Sequence, residues 1–172
     1  MFCLWVLWLP IFCLPLPTYA VDREHHKAMY LGRLSNYVTW PSMAIQPESK
    51  TFNLCVLGED TFKGFLQSLY TEKSIKDKPV KIYYFNNIEN IPNCHLLFIS
   101  ISKRKAVSKI LNFVKDKPIL TISETRGFTG KKGIIQFYMQ AQRVRLKINN
   151  QAAISQGLKI SSKLLAIANV IK

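Results

Sequence analysis

The fold of this 172-residue chain is constrained most by short apolar runs that alternate with helical patterns between residues 52 and 123. Each run has the length and composition of a buried strand, and the four runs lie at 52–58, 79–85, 95–101 and 118–123. Apolar residues recur at helical spacing from Phe62 to Leu69, after the first run, and from Ala106 to Val114, after the third. This alternation predicts right-handed crossovers and a mostly parallel sheet.

Segments on either side of this region extend the predicted fold. They are a helix over 22–39, a loop over 41–50, two adjoining strands or one bent hairpin over 134–148, and two helical pieces over 150–172. Gly157 separates the two helical pieces. We therefore expect a single Rossmann-like α/β domain of three layers, with five to six mostly parallel strands flanked by helices.

The first 20 residues have a different character from the rest. They contain no charged residue, and their apolar run is interrupted by three prolines and followed by small residues up to Ala20. A membrane-spanning helix needs about 20 apolar residues, whereas this pattern is typical of a secretory signal peptide. We predict a signal peptide over 1–20, an α/β domain over 21–172, and export of the protein to an oxidising compartment.

Two of the four cysteines, Cys55 and Cys94, remain after such a cleavage. A pair of this kind in an oxidising compartment favours a disulfide. In a sheet of order 2-1-3-4, Cys55 in the first strand and Cys94 at the start of the third lie on neighbouring strands, about 4.8 Å apart. A metal site that adds His95 is not expected, because adjacent residues of an extended segment point to opposite faces.

The charge of the chain restricts its partners. It has 24 Lys and Arg against 10 Asp and Glu, a formal net charge of +14. One interpretation is that the positive charge serves solubility alone. Another is that it attracts the protein to an anionic membrane surface or to an acidic partner domain. Nucleic acid is not an expected partner of an exported protein. The candidate partner contacts are Trp40, Phe128, Tyr138, Arg143 and Arg145, of which the three aromatic residues qualify only if they are exposed rather than packed in the core.

Catalytic constellations are not expected in this sequence. The segment 127–133 resembles a phosphate-binding loop, but Thr125 and Lys132 stand where that motif requires glycine and a hydroxyl residue. The three histidines and the sparse carboxylates suggest no hydrolase site. We predict a protein that is not an enzyme and has no cofactor and no metal.

A small-molecule site is nevertheless compatible with the predicted sheet. Ligands of open α/β sheets bind outside the carboxyl ends of the strands. The residues that fall there are Gly58, Ser100, Ser102, Ser123 and Glu124. Arg126 follows closely and suits an anionic ligand.

Several stretches, taken together, resemble the YfiR family of small exported bacterial proteins. The matching stretches are NYVTWP at 36–41, FNLCVLGEDTF at 52–62, NCHLLFIS at 93–100, ILTIS at 119–123, GF at 127–128, RVRLKIN at 143–149 and GLKISSKLL at 157–165. The resemblance implies that Cys55 and Cys94 are the core disulfide cysteines of the family. The second pair that some members carry, near Thr129 and Gln136 of this chain, is absent.

The resemblance also implies a regulatory function. Such a protein is periplasmic, often a homodimer, and restrains an inner-membrane diguanylate cyclase of the YfiN type until a YfiB-like outer-membrane lipoprotein sequesters it. We therefore expect a negative regulator that lowers cyclic-di-GMP and biofilm formation. The alternative is a periplasmic small-molecule-binding module that recognises a ligand at the strand ends.

Overall fold

A computed structural model describes residues 19–42, 44, 50–62 and 64–171, with the backbone alone for 19–23. The described residues form five α-helices: α1 (Tyr19–Asn36), α2 (Phe65–Tyr70), α3 (Val107–Val114), α4 (Asn150–Ser155) and α5 (Ser162–Leu165). They also form ten strands: β1 (Val38–Thr39), β2 (Phe52–Leu57), β3 (Ser74–Ile75), β4 (Lys78–Phe85), β5 (Leu96–Ile99), β6 (Leu120–Ser123), β7 (Ile135–Gln140), β8 (Arg143–Asn149), β9 (Lys159–Ile160) and β10 (Asn169–Ile171). Residues 1–18 of the predicted signal peptide and most of the predicted loop over 41–50 lie outside the described residues.

Eight strands form one mixed sheet in the order β10-β8-β7-β6-β5-β2-β4-β3. The order predicted for the first four runs is confirmed, because β4, β2, β5 and β6 are consecutive parallel neighbours. The predicted number of five to six strands is wrong. The sheet also contains β3 and β10, which have only two and three residues and are too short to produce a periodic pattern. Antiparallel pairing occurs between β3 and β4 and between β7 and β8.

The hairpin of β7 and β8 confirms one of the two alternatives for residues 134–148. Its two-residue turn consists of Ala141 and Gln142, with φ values of 46° and 59°. Left-handed backbone at both positions matches a type I′ turn, for which Asn and Gly are the usual residues. The sequence therefore contains no strong signal for the turn, although the hairpin is well formed.

The chain ends confirm the predicted helices and add short strands between them. Helix α1 ends at Asn36, before the predicted end at residue 39, because Val38 pairs with Ile160 in the small β1–β9 sheet. Helices α4 and α5 correspond to the two predicted helical pieces. Gly157, with φ of 74°, ends the α4 turn and directs the chain into β9.

Two hydrophobic clusters cover the two faces of the central strands, as a three-layer fold requires. The first face carries Leu54, Val56 and Phe98 and packs against helices α1, α2, α4 and α5. The second carries Leu57, Leu97 and Ile99 and packs against α3, the one helix among the described residues that contributes to it. Because α3 spans only the central strands, β7 and β8 extend beyond it on that face.

The predicted disulfide is confirmed and lies within the second cluster. Cys55 in β2 is bonded to Cys94, two residues before β5, and their Cα atoms are 6.0 Å apart. Both cysteines are buried. The bond therefore crosslinks two neighbouring parallel strands near the middle of the sheet.

Helices α1 and α2 approach closely at Gly32. Tyr70 of α2 crosses this position and donates a hydrogen bond from its hydroxyl to the carbonyl of Ala28, at 3.3 Å. Burial raises the pKa of Tyr70 to about 12, so the phenol remains neutral. A Cβ atom at residue 32 would overlap the Tyr70 hydroxyl, which is why glycine is required there.

Replacing both cysteines, as Cys55→Ala with Cys94→Ala, is expected to lower the free energy of unfolding by about 2–4 kcal/mol. The reason is that the bond joins residues 39 positions apart and so restricts the unfolded chain. Urea-induced unfolding measures the loss. As a control, a reducing agent should shift the midpoint of the natural chain similarly and leave that of the variant unchanged. An unchanged midpoint in the variant would contradict the structural role of the bond.

Gly32→Ala is expected to lower the free energy of unfolding by about 1–3 kcal/mol, because the added methyl group displaces Tyr70. Gly130→Ala is the matched control, since a Cβ atom there meets nothing within 4 Å. Adding Tyr70→Phe to Gly32→Ala should recover part of the loss by removing the overlapping oxygen. Thermal unfolding of the four proteins checks this, and equal stability of the two alanine variants would disprove it.

Candidate functional site

The strand-end set (Gly58, Ser100, Ser102, Ser123, Glu124 and Arg126) follows three neighbouring parallel strands, so its members lie near one edge of the sheet. Gly58 has φ of 102°, and a Cβ atom there would lie 2.6 Å from the Ser102 hydroxyl oxygen. Gly58, Ser100 and Ser102 are therefore in direct contact. Ser123 adjoins them, because its hydroxyl donates to the carbonyl of Ile99 at 2.8 Å.

The hydroxyl groups of this set are occupied by bonds within the protein. Ser102 Oγ donates to Ser100 Oγ at 3.2 Å and accepts from the Glu59 backbone N–H at 3.1 Å. Ser123 Oγ accepts from the Thr125 backbone N–H at 3.1 Å. Ser100 and Ser123 are buried. These bonds fix the turns after β2, β5 and β6, so the serines have a structural role that needs no ligand.

Glu124 is turned toward α1, where it forms part of a largely buried ion cluster. The Lys27 ammonium lies 2.9 Å from Glu124 Oε2 and 2.7 Å from Glu24 Oε1. Lys27 is 6% exposed, and the other carboxylate oxygen of each glutamate accepts no hydrogen bond within the described part of the chain. The cluster attaches α1 to the segment after β6. Sequence reasoning missed it, because nothing in the pattern relates residues 97 positions apart.

Arg126, the remaining member of the strand-end set, is exposed. It lies one residue before Gly127, whose φ of 76° redirects the chain toward the turn at 129–131. Its guanidinium group forms no ion pair within the described residues, where Lys27 is the cation of both salt bridges. The structure thus brings the glycine and serines together and places Glu124 and Arg126 in other surroundings.

The predicted partner contacts divide into buried and accessible residues. Trp40 is 7% exposed, donates from its indole nitrogen to the His95 carbonyl at 3.2 Å, and packs edge-on against Phe52. Phe128 is 0% exposed and belongs to the second hydrophobic cluster. The condition of exposure is therefore not met for these two aromatic residues, and the alternative of core packing is confirmed for them.

Tyr138, Arg143 and Arg145 share one face of the β7–β8 hairpin. Tyr138 is directly opposite Arg145, and Gln136 is opposite Lys147. Ile99 pairs with Ser123, and Ser123 pairs with Gln136, so these three side chains lie on one side of the sheet, the side on which α3 packs. The hairpin residues on that side lie beyond the strands that α3 covers. Arg143 and Arg145 are exposed, and Tyr138 and Lys147 are half-buried. We call Tyr138, Arg143, Arg145 and Lys147 the basic hairpin face.

Much of the excess positive charge lies in the part of the sequence that contains this face. Glu124 is the last acidic residue of the sequence, and nine Lys and Arg follow it. No carboxylate in this part of the chain offsets the arginines. The basic hairpin face therefore presents a positive potential, to which an acidic surface is the complement.

His95 is the buried titratable group next to the disulfide. Its Nδ1 accepts from the backbone N–H of Asn53 at 2.8 Å, so the ring proton is on Nε2, which donates to the carbonyl of Ala44 at 3.0 Å. Burial lowers the pKa of His95 below its ordinary value of 6.5, and Lys78 lowers it further, while the Ala44 bond acts in the opposite direction. His95 is a neutral structural group that joins the start of β5 to Asn53 of β2 and to Ala44.

Within the described ranges, no three His, Cys, Asp or Glu side chains are grouped so that they could hold a metal ion. The same residues include no helix with the length and hydropathy needed to cross a membrane. The geometry thus defines a class: an α/β domain with a crosslinked mixed sheet and an uncovered basic sheet face.

Comparison with known proteins gives the family. The family model described as YfiR/HmsC-like matches residues 24–169. The chain therefore belongs to the YfiR/HmsC-like family, which is regulatory rather than catalytic, and the resemblance found in the sequence is confirmed. A search of functionally curated proteins finds no significant match.

A solved structure supports the fold. It is the crystal structure of a conserved domain protein from Vibrio cholerae, with a TM-score of 0.59 and 11% sequence identity. The match covers 84% of this chain and 60% of that one, so this chain spans less than two thirds of the length of that protein. At this identity the likeness establishes the architecture alone.

Stability is expected to decrease as the pH falls below about 6.5, because His95 binds a proton less readily in the folded than in the unfolded state. The loss develops between the unfolded-state pKa and the lower folded-state pKa, and then levels off. Urea unfolding between pH 7.5 and pH 5 measures it. His95→Asn keeps an acceptor for the Asn53 N–H without titrating, so it should flatten the slope; an identical slope in both proteins would contradict this role.

Proposed function

We propose that this protein is a periplasmic negative regulator that binds and restrains an inner-membrane diguanylate cyclase, and so lowers cyclic-di-GMP and biofilm formation. Membership of the YfiR/HmsC-like family supports the regulatory role. The predicted signal peptide over 1–20 supports export, and the disulfide suits an oxidising compartment. The protein acts by contact, without catalysis and without a cofactor.

The observation that carries the proposal is the basic hairpin face. It lies on two strands of the sheet, where the backbone is held by the β7–β8 ladder and no helix among the described residues covers it. Arg143 and Arg145 are two positions apart on one strand, so their side chains emerge about 7 Å apart. Guanidinium groups match carboxylates with two parallel hydrogen bonds. The face is therefore suited to an acidic patch on a folded partner.

The proposed partner is the periplasmic domain of a YfiN-type membrane cyclase. Charge complementarity would accelerate the encounter of a highly basic protein with such a domain, and salt would weaken the effect. Repression then follows from a shift of populations: a regulator that binds the inactive conformation of the cyclase better than the active one holds it inactive. A YfiB-like outer-membrane lipoprotein would compete for the regulator, and the regulator itself would form a homodimer.

Deleting the gene, in a strain that retains its membrane cyclases, is expected to raise cellular cyclic-di-GMP, and restoring it should reverse the rise. Restoration with Arg143→Gln and Arg145→Gln together should fail to lower cyclic-di-GMP, because the partner loses its cationic contacts. The matched control is Lys105→Gln with Lys109→Gln, which removes the same charge two residues before α3 and within it. The control protein should repress normally. Cyclic-di-GMP is quantified in extracts of each strain.

Two outcomes contradict the proposal at different levels. If the natural strain makes and exports the protein and deletion leaves cyclic-di-GMP unchanged, repression is not its function. Repression by the arginine variant equal to that of the control leaves the regulatory role but removes the basic hairpin face as the contact. Thermal unfolding of each variant tests whether both substituted proteins are folded.

A further inference from the structure

A groove with a volume of about 690 Å³ lies between α3, α4 and the turn at 129–132. This size is typical of small-molecule sites, which range over about 300–1,000 Å³. None of its lining residues belongs to the strand-end set or to the basic hairpin face. The groove is therefore separate from both surfaces considered so far.

The groove is cationic. Lys115 from the end of α3 and Lys131 and Lys132 from the turn line it, and none of the described residues that line it is Asp or Glu. The three lysines are exposed, and within the described residues they form no ion pair. Three like charges around one concavity repel one another unless an anion neutralises them.

The walls of the groove are fixed by internal hydrogen bonds. Asn149 donates from its side-chain nitrogen to the Thr129 carbonyl at 2.9 Å and accepts from the Ala152 N–H at 2.9 Å, which joins the turn to α4. The Gln156 amide, oriented so that its nitrogen donates, bonds the carbonyls of Lys117 and Ile119 at 3.2 and 3.0 Å, which joins α4 to the segment after α3. The framework is therefore in place before any ligand arrives, which reduces the entropy lost on binding.

Polar side chains that form no side-chain hydrogen bond with the described part of the chain complete the lining. Ser108, Asn112 and Lys115 are spaced at i, i+4 and i+7 along α3 and its end, so they share one side of the helix. Gln151 lines the groove from α4. These groups can donate hydrogen bonds to an anion, while Ser155 is already bonded to the Ala152 carbonyl.

The chemistry of the lining favours one class of anion. Arginine forks bind carboxylates and phosphates with two parallel hydrogen bonds, whereas lysines bind phosphoryl oxygens as point charges and need no planar partner. All three cations here are lysines. The volume also exceeds what a single inorganic phosphate occupies. Three cations around one groove suit a phosphoryl group, which carries about −1.5 to −2 charge at pH 7, better than a carboxylate with a single charge, and the volume leaves room for an organic part of the ligand.

We propose that the groove between α3, the 129–132 turn and α4 binds a phosphorylated small molecule through Lys115, Lys131 and Lys132. Ser108, Asn112 and Gln151 contact the remainder of the ligand. The segment 127–133 thus binds phosphate without the nucleotide-loop motif, from which it departs in sequence. The same phosphoryl chemistry occurs in a free metabolite and in a phospholipid headgroup, and the experiment separates these sources.

The test is a titration of the isotopically labelled purified protein with sodium pyrophosphate, followed by two-dimensional NMR at constant ionic strength. We expect saturable shifts confined to residues 108–115, 129–132 and 149–156. Lys131→Gln with Lys132→Asn should weaken binding at least about tenfold. Asn is chosen at 132 because that residue has φ of 72°, a backbone conformation that Asn tolerates.

Lys159→Gln with Lys163→Gln removes the same charge outside the groove, so its affinity should stay within about twofold of the natural chain. A second arm measures sedimentation with vesicles of phosphatidylglycerol, with phosphatidylcholine vesicles as the neutral reference. Binding to the anionic vesicles that depends on Lys131 and Lys132 identifies a headgroup as the source; pyrophosphate binding without it identifies a free ligand. Absence of saturable shifts, or equal weakening in both double variants, overturns the proposal.

Discussion

The pairing of β2 with β5 is the constraint on which the rest of the structure depends. Three interactions of different kinds converge on it: the Cys55–Cys94 bond, the His95 imidazole that accepts from Asn53, and the Trp40 indole that donates to the His95 carbonyl. They connect the sheet to Trp40, directly after β1, and to Ala44. With the two strands fixed, β4 and β6 add on either side, and both hydrophobic clusters form on opposite faces of the same four strands.

The unequal covering of the sheet explains where the functional surfaces lie. Among the described residues, four helices pack on one face, whereas α3 is the one helix that packs on the other, and it stops at the central strands. The hairpin beyond α3 cannot bury that side, so its residues there are Tyr138, Arg143, Arg145 and Lys147 rather than aliphatic ones. The space between α3 and α4 becomes the lysine-lined groove. The basic hairpin face and the groove walls formed by the 129–132 turn and α4 follow Glu124, the last acidic residue of the sequence.

The sequence was sufficient to predict the features that depend on pattern. Alternation gave the four central strands, their order and α3, and the cysteine positions agreed with that order. The remainder depends on contacts that no local pattern encodes. Ala141 and Gln142 form a left-handed turn without the usual residues, and β9 and β10 are too short to be recognised. The bond between Lys27 and Glu124 joins residues distant in the chain, and the groove requires three elements at once.

The short outer strands have a consequence for how the protein behaves when many copies are close together. β3 pairs only with Lys78 and Pro79 of β4, and β10 only with Lys147–Asn149 of β8, so residues 80–85 of β4 and 143–146 of β8 have a neighbouring strand on one side only within the described residues. Long, flat, open edges are the usual starting point for strand-to-strand association into fibrils. The large positive charge adds repulsion between copies. Cationic side chains on these open stretches, Lys81 in β4 and Arg143 and Arg145 in β8, therefore oppose strand pairing between copies where the short outer strands do not cover the edge.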